Sequence, residues 1–377
     1  MTAGPPRRIA YVIGELGKGG AEYQLHELLR HLDRARFTPS VFALAGGGYW
    51  ADRIRALDVP VAEIPRGGSV DLSRLRRLRA ALRAARPDVL HTILWSANVY
   101  GRLAAVGLGI PLVLAAERNT IRRPAWQVAV ERGLDRMTDG YLVNCEAIAA
   151  LLVEHEGLSG QKIRVVPNGI DLGTLPAFGL AREGARRALG FDPARRLVAQ
   201  VGRLAPQKDY PTFFHAAATV AAAHPDVDFL VVGEGAERPA LEALVARLGL
   251  APRVRFAGLR DDVPALLGAV DVLALTSLYE GFPNVVVEAM ATGAVAVATD
   301  VGGCRELVLP GETGFLVPPG DPPAVAAAVL RVLGDAELAG RLATAARGRI
   351  EREFDVHTMA TRTMAAYDAL LPRGKGA

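Results

Sequence analysis

The sequence predicts an α/β fold made of two doubly wound parallel-sheet domains. Short, continuously apolar runs alternate with longer segments whose apolar residues recur at helical spacing, and both halves of the chain repeat this order. Strands that are apolar throughout are typical of a parallel sheet covered by helices on both faces. The length of 377 residues also fits two domains of ordinary size.

Seven strands are predicted in the first half and six in the second. The first set is Arg8–Ile13, Ser40–Leu44, Val61–Ile64, Val89–Thr92, Leu112–Ala116, Gly140–Asn144 and Ile163–Pro167. The second set is Leu197–Gly202, Asp228–Val232, Val254–Ala257, Val272–Leu275, Ala294–Ala298 and Gly314–Val317. Between Asp321 and Leu371 the pattern is helical throughout and predicts two or three consecutive helices.

These elements divide the chain into an N-terminal domain, 1–175, and a C-terminal domain, 176–355. A last helical segment, 356–377, is expected to pack back towards the N-terminal domain. The stretch Asp171–Arg195 is rich in Gly, Pro and Ala and is the predicted hinge. Because ligands bind outside the carboxyl ends of the strands in such sheets, the residues after each strand are the functional candidates.

The composition excludes several classes of protein. Half of the chain is apolar and only two cysteines occur, which is incompatible with disorder, a disulfide framework or a multi-thiolate zinc site. No apolar stretch has the length of a signal peptide or a membrane span. We expect a cytoplasmic protein, either soluble or at the inner face of the membrane, with no nucleic acid partner.

Positive charge is concentrated in the N-terminal half. Residues 1–175 contain 23 Lys and Arg against 17 Asp and Glu, whereas the remainder contains 21 against 23. Within the first half, Arg74–Arg83 predicts a helix with a leucine stripe and a basic face. Such a helix is usually packed on the core, but the charge also allows contact with anionic lipid, to which Arg122, Arg123 and Trp126 could add.

A glycine-rich loop, Gly14–Glu22, follows the first strand. Gly19 and Gly20 let the backbone approach a ligand at the start of the next helix. The loop lacks the Gly-x-Gly-x-x-Gly pattern, which argues against a dinucleotide oxidoreductase. A ligand loop and a plain strand-to-helix turn both fit.

The first strand of the C-terminal domain is followed by Gly202-Arg203, and Lys208 comes five residues later. Two cations on a glycine-flanked loop can converge on one anionic group, and a pyrophosphate suits an Arg fork and a Lys point charge. The alternative interpretation is that both side chains are ordinary charged residues on the surface that keep the protein soluble.

A second informative segment runs from Glu280 to Glu288 through Gly281-Phe282-Pro283-Asn284-Val285. Proline at a first helical turn predicts that a helix begins near Pro283. Glu280 would then precede the helix, and Glu288 would lie inside it among valines. A carboxylate in apolar surroundings needs partners, and the vicinal hydroxyls of a polyol can provide them.

Five segments in this order and spacing resemble the retaining GT-B glycosyltransferases of family 4. They are Gly17–Glu22, Val166–Asp171, Val201–Lys208, Gly233–Gly235 and Glu280–Glu288. The resemblance covers essentially the whole chain and implies two Rossmann-like domains facing across a cleft. It also implies metal-independent hexosyl transfer, with retention, from a nucleotide-diphosphate sugar to a glycan or lipid-linked acceptor in envelope polysaccharide synthesis.

The resemblance further implies the roles of individual residues. Arg203, Lys208 and Glu280 form the catalytic set, in which the two cations hold the diphosphate and no cofactor or metal is needed. Glu288 would bind the ribose, and the nucleobase would lie beside Phe256. The other donor-binding residues implied are Gly19, Gly20, Gly202, Gly235, Gly281, Phe282, Pro283, Asn284 and Val285. A donor phosphate oxygen, rather than a protein nucleophile, would help to deprotonate the acceptor.

The acceptor site is expected in the N-terminal domain, where the sequence departs from better-known members. Ala116-Glu117-Arg118-Asn119 stands where many members place a histidine. The acceptor or cleft candidates are His91, Glu117, Arg118, Asn119 and Asn168, and a core role for His91 and a turn role for Asn168 remain open. A sugar-nucleotide epimerase of the same fold and a catalytically silent binding relative are the alternative functions.

Overall fold

The computed structural model describes residues 5–65, 71–175 and 182–371. These residues form two compact units. The first unit contains the described residues up to Gly169 together with those from Val356 onward, and the second unit is Ile170–Asp355. Residue 176, where the second domain was predicted to begin, lies outside the described residues.

The first unit is built on a parallel sheet of seven strands in the order β3-β2-β1-β4-β5-β6-β7. These strands are β1 (Arg7–Ile13), β2 (Phe37–Ala43), β3 (Val61–Glu63), β4 (Val89–Ile93), β5 (Leu112–Glu117), β6 (Gly140–Val143) and β7 (Ile163–Val165). The helices between them are α1 (Gly20–His31), α2 (Tyr49–Arg55), α3 (Leu72–Ala85), α4 (Trp95–Ala105), α5 (Ala125–Asp135) and α6 (Glu146–Glu154).

The second unit repeats the scheme with six parallel strands in the order β10-β9-β8-β11-β12-β13. They are β8 (Arg196–Val201), β9 (Val227–Val232), β10 (Val254–Phe256), β11 (Val272–Leu275), β12 (Val295–Thr299) and β13 (Gly314–Val317). The helices are α7 (Arg182–Ala188), α8 (Tyr210–Ala223), α9 (Arg238–Arg247), α10 (Val263–Leu267), α11 (Asn284–Thr292), α12 (Cys304–Leu307), α13 (Pro322–Gly334) and α14 (Ala336–Glu353).

Each of the thirteen predicted strands is present, which confirms the predicted fold class. The largest difference is at β2, which begins at Phe37 rather than at Ser40. Pro39 is among the added residues and pairs with Ile9 of β1, and β3 reaches only as far along β2 as Val41. At Pro39 the strand therefore has a partner on one side only, so a missing amide is tolerated there.

The basic helix α3 packs on the core as its leucine stripe predicts. Asp71 caps it by accepting a hydrogen bond from the amide of Arg74 at 2.9 Å. Leu78 and Leu82 are fully buried. The leucine stripe is therefore the packing face of the helix.

The C-terminal segment forms three helices, α13, α14 and α15 (Val356–Leu370). The last belongs to the first unit, where Tyr367 is completely buried and its hydroxyl lies 3.1 Å from that of Tyr11 on β1. No helix among the described residues combines the length and the apolar character needed to cross a membrane.

Candidate functional site

In each sheet the strand order reverses between two neighbours, β1 and β4 in the first unit and β8 and β11 in the second. This reversal is the position at which doubly wound folds bind ligands, because the connections on either side leave the carboxyl ends of the two strands open. Arg203 and Lys208 follow β8, and Glu280 follows β11. The second unit therefore carries these three residues at its switch point.

Close backbone packing shapes the loops at that point. Gly233 has a φ of +141°, and a Cβ there would lie 1.9 Å from the carbonyl oxygen of Gly202. A Cβ at Gly235 would lie 2.1 Å from the carbonyl oxygen of Leu204. Only glycine allows the loops after β8 and β9 to approach so closely.

Lys208 and Glu280 form a buried ion pair. The Lys208 Nζ lies 2.5 Å from Glu280 Oε1, which also accepts a hydrogen bond from the Ser277 hydroxyl at 2.6 Å. Both charged side chains are largely shielded from solvent. The fold therefore places a predicted cation in contact with a predicted carboxylate that lies 72 residues later in the chain.

Two buried polar side chains form hydrogen bonds with the backbone around Lys208. Gln200 Nε2 donates to the carbonyl oxygen of Lys208 at 2.7 Å, and Thr276 Oγ1 lies 2.9 Å from that of Asp209. Asp209 adopts a left-handed conformation, with φ +44°, and accepts from the amide of Thr212 at the start of α8. These contacts fix the direction in which Lys208 leaves its loop.

Arg203 differs from Lys208 in its surroundings. It is exposed, and its side chain makes no hydrogen bond or ion pair with any residue that the structure describes. It therefore presents an available guanidinium on the same loop as Lys208.

Glu288 lies on α11 and is half-buried. Its carboxylate has no hydrogen-bond or ion-pair partner among the described residues, and burial raises its pKa to about 7. The helix begins at Asn284, with Pro283 as its N-cap, close to where the sequence predicted. Burying an unpaired carboxylate is unfavourable, so this side chain lacks a partner that a ligand can provide.

The segment between the two glutamates is tightly packed. Phe282 is buried against Phe354, with ring centroids 5.5 Å apart. Gly302 has a φ of +46°, and a Cβ there would lie 1.9 Å from the carbonyl oxygen of Glu280. Gly303 donates its amide to the carbonyl oxygen of Gly281 at 2.7 Å. The loop of Gly302 thus supports the loop of Glu280.

The remaining donor candidates are divided between the two units. Phe256 ends β10, half-buried against Phe214 at 5.9 Å between ring centroids, and Val285 is half-buried on α11. Gly19 and Gly20 lie at the start of α1 in the first unit, where a Cβ on Gly19 would lie 2.1 Å from Glu22 Oε2.

Among the acceptor candidates of the first unit, His91 lies within β4 and Glu117 is the last residue of β5, whereas the others follow β5 or β7. His91 is buried and its Nδ1 lies 2.7 Å from the Tyr367 hydroxyl. Arg118 donates to Asn168 Oδ1 at 3.0 Å. Asn119 accepts from the amide of Ile121 at 3.1 Å, so that its side chain shapes the loop before α5.

Glu117 is part of a buried ionic network. It is 4% exposed, pairs with Arg123 and accepts from Asn98 Nδ2 at 2.6 Å. Arg123 also pairs with Glu156 at 2.8 Å, and Arg102 binds Glu131 through both of its terminal nitrogens, at 2.6 and 2.7 Å. The carboxylate expected at a binding surface therefore anchors the loop that precedes α5.

Several residues that shape these sites were not predicted. Ser277, Gln200 and Thr276 surround the Lys208–Glu280 pair, and the position of Ser277 and Thr276 just after β11 could have indicated them. Gln24 binds Gly169 reciprocally, at 2.9 and 3.1 Å, with no local signal in the sequence. Within the described residues, no cluster of three or more His, Cys, Asp or Glu is arranged to hold a metal ion.

Two parallel-sheet α/β units with cations and carboxylates at the switch point define the GT-B class of fold, and comparison with solved structures agrees. The Anabaena HepE structure with UDP and glucose superimposes with a TM-score of 0.86 at 24% identity, covering 96% of this chain and all of that one. Sucrose-phosphate synthase of Thermosynechococcus elongatus gives 0.81 at 23% identity, covering 97% and 99%.

Sequence comparison identifies the family. The model described as glycosyl transferases group 1 matches residues 195–335, and that described as glycosyltransferase family 4 matches residues 18–174. The D-inositol 3-phosphate glycosyltransferase of Segniliparus rotundus is 33% identical over 311 residues, 77% of this chain and 68% of that protein. The chain belongs to glycosyltransferase family 4.

A further relative is the 2-deoxystreptamine glucosyltransferase of Streptomyces kanamyceticus. It is 34% identical over 274 residues, 69% of this chain. The match spans 65% of that relative's length, just under two thirds.

Proposed function

We propose that the protein is a retaining glycosyltransferase that moves a sugar from a nucleotide-diphosphate sugar to a glycan or lipid-linked acceptor without a metal ion. The observation that carries this proposal is the position of Arg203, Lys208 and Glu280 after the two strands of one switch point, with Glu288 on the helix that follows Glu280. These residues combine available positive charge with a carboxylate, that of Glu288, which has no partner among the described residues. A nucleoside diphosphate complements both features, because it is an anion attached to a ribose diol.

Each residue then has a defined part in binding the donor. Arg203 and Lys208 hold the diphosphate, and Glu288 accepts hydrogen bonds from the ribose hydroxyls. Glu280, already fixed by Ser277, is placed to bind hydroxyls of the transferred sugar together with the backbone that follows it. HepE structures contain UDP and UDP-glucose, which supports a nucleotide-sugar donor and makes UDP the first nucleotide to test.

The chemical step transfers the anomeric carbon from one oxygen to another. The bond from the acceptor oxygen to that carbon forms as the bond to the phosphate oxygen breaks, and the bonding electron pair leaves with the diphosphate. The acceptor proton passes to a phosphate oxygen on the same face of the sugar. Fixed cations stabilise the charge that develops on the leaving group, and this electrostatic effect is the largest catalytic contribution we assign.

The donor site is tested by thermal-shift measurements with UDP, GDP, ADP and their sugar derivatives in the presence of EDTA. We expect at least one diphosphate to stabilise the protein, and Arg203→Ala to weaken that effect. Arg247→Ala is the matched control, because Arg247 is an exposed arginine on α9 with no polar partner among the described residues. No stabilisation by any nucleotide, or equal responses of the two variants, would refute the site.

Retention and acceptor class need a product assay. Incubation of the stabilising nucleotide-sugar with glycan and lipid-linked acceptors, followed by NMR of the anomeric proton, should show the configuration of the donor kept in the product. Interconversion of the free nucleotide-sugar without transfer would instead support an epimerase. Binding without either reaction would support a catalytically silent relative.

We also propose peripheral contact with an anionic membrane at the cytoplasmic face, as envelope polysaccharide synthesis requires. Ile121 is 50% exposed next to the exposed Arg122 on the loop that Arg123 anchors, and Trp126, in the first turn of α5, is 62% exposed. Exposed apolar and basic side chains together suit an anionic interface. Flotation with phosphatidylglycerol vesicles should depend on Trp126, whereas Leu259→Ser, which removes an exposed leucine of the second unit, should have no effect.

A further inference from the structure

Arg118 forms no ion pair with any carboxylate that the structure describes. It follows β5 in the first unit, and its Nη1 donates to Asn168 Oδ1 at 3.0 Å. Its Nε is buried without a hydrogen-bond partner, and no carboxylate among the described residues pairs with it. A shielded guanidinium with a single amide contact is costly in a folded protein, because both its charge and its donors have lost water.

The nearest acidic residue in sequence, Glu117, favours this charge electrostatically but does not form an ion pair with it. Glu117 precedes Arg118, and successive side chains at a strand end point to opposite faces of the sheet. Glu117 contacts Asn98 on α4 and Arg123, whereas Arg118 lines a small cavity with residues of α1 and α15. The Glu117 carboxylate and the Arg118 guanidinium therefore contact different sets of neighbours.

His91 lines the same cavity and also has an unused polar atom. Its Nε2 is buried with no partner among the described residues, although the residue is only 1% exposed. Burial lowers the His91 pKa to about 3, so the ring is neutral. The Tyr367 hydroxyl can donate to Nδ1, and the ring proton then lies on Nε2 as a donor towards the cavity.

We infer that Arg118, Asn168 and His91 form a subsite for an oxyanion, a phosphate or carboxylate, carried by the acceptor. The inference rests on the proposed function and specifies its acceptor as an anionic one. The Arg118 guanidinium supplies the positive charge and the Nε donor, and Asn168 fixes the orientation of that guanidinium. His91 Nε2 supplies a neutral donor beside it.

Inorganic phosphate and glycerol 3-phosphate are the probes, with glycerol as the uncharged control. The protein is first saturated with UDP, so that the cations of the second unit are occupied, and its thermal unfolding is then followed as each probe is added. We expect both phosphates to stabilise the protein and glycerol to have no effect. Arg118→Gln should weaken phosphate binding about tenfold or more, since a charge-assisted contact is lost.

Two other variants separate binding from structure. Arg136→Gln removes an exposed arginine of the same unit and should leave the phosphate response unchanged. Asn168→Asp places a carboxylate on the guanidinium itself, so it should raise the melting temperature and abolish the phosphate response. A purely structural role for Asn168 predicts no such combination.

The acceptor and donor are distinguished by kinetics. With the transferred sugar and acceptor known, Arg118→Lys should raise the KM for the acceptor and leave the KM for the donor unchanged. An increase confined to the donor KM would overturn the assignment to the acceptor. A phosphate response that is absent, or that is the same in Arg118→Gln and Arg136→Gln, would overturn the subsite.

Failure of the proposed function would be visible separately. If no nucleotide stabilises the protein, the phosphate titration is repeated on Lys208→Ala, which lacks a cation of the donor site, and it still decides whether Arg118 binds an oxyanion. If UDP binds but phosphate binding does not depend on Arg118, only this inference is lost.

Discussion

Lys208 Nζ and Glu280 Oε1 are 2.5 Å apart in the second unit, so the cation assigned to the donor diphosphate is already neutralised by the carboxylate assigned to the donor sugar. A bound diphosphate would share Lys208 with Glu280 or take it over. The pair therefore keeps both charges satisfied before a substrate arrives, which limits the cost of burying either one.

Removal of Lys208 should affect stability and binding by different routes. In Lys208→Met, Glu280 loses its cation and keeps the Ser277 hydroxyl, and we expect a loss of about 1–3 kcal/mol in the free energy of unfolding. UDP affinity should fall roughly tenfold to a hundredfold. Urea unfolding and calorimetry measure the two effects.

The double variant Lys208→Met/Glu280→Gln is the control for this prediction. It should recover most of the stability, because no buried charge remains, without recovering UDP affinity. Recovery of both would show that Lys208 acts only by neutralising Glu280.

Glu288 should make the protein less stable as the pH rises. Its pKa is raised from 4.5 to about 7, so below pH 4.5 the group is protonated in the folded and unfolded states and costs nothing. Between pH 4.5 and 7 the unfolded chain ionises first, and the penalty grows to its full size above pH 7. Glu288→Gln should therefore increase stability at pH 8, by on the order of 1–3 kcal/mol, with no gain at pH 4.

The same substitution should weaken nucleotide binding. We expect Glu288→Gln to lower the affinity for UDP but not for pyrophosphate, because only UDP has a ribose. Glu312→Gln, at an exposed and unpaired glutamate, is the matched control for both measurements. A preference for UDP over pyrophosphate that survives Glu288→Gln would contradict the ribose assignment.

Gly302 is predicted to be essential to the donor site. Gly302→Ala places a Cβ 1.9 Å from the Glu280 carbonyl oxygen, so the loop of Glu280 must move and UDP binding should be lost. Gly320→Ala also has a positive φ, +68°, but a Cβ there meets nothing within 4 Å. It should cost only roughly 1–2 kcal/mol of stability and leave calorimetric UDP affinity intact. Equal effects on UDP affinity would show that the contact is unimportant.

The pair of Arg102 and Glu131 tests the ionic network of the first unit. Arg102→Leu leaves the Glu131 carboxylate buried beside Arg123 at 3.7 Å, and we expect a loss of about 3–5 kcal/mol in urea unfolding. The double variant Arg102→Leu/Glu131→Leu should lose much less, since neither charge is stranded. Additive losses from the two single variants would show that the pair is not coupled.

The sequence was sufficient for the fold because its information was local. A run such as Leu112–Ala116, which is apolar throughout, can form a buried parallel strand wherever it lies in the sheet. The residues proposed to bind the donor could also be selected from the sequence, since Arg203, Lys208 and Glu280 each follow a strand and the switch-point rule places strand ends together.

The side-chain contacts that the sequence did not predict join residues that are far apart in the chain. Glu117 lies at a strand end like the donor residues, but its role was set by Arg123 and Asn98, which no periodicity connects with it. His91 and Tyr367 are 276 residues apart, and nothing in either segment indicates the contact. Such partners follow from the packing of α15, which the sequence describes only as a helix.

The membership of Val356–Leu370 in the first unit has a consequence for biosynthesis. Tyr367 fills the core beside Tyr11, so a nascent chain that has released its first 169 residues still lacks a wall of that core. Ile170–Asp355 is contiguous in the chain, whereas the N-terminal part of the first unit needs a segment that is translated after the whole of the second unit. The first unit can therefore complete its core only after the second unit has been synthesised.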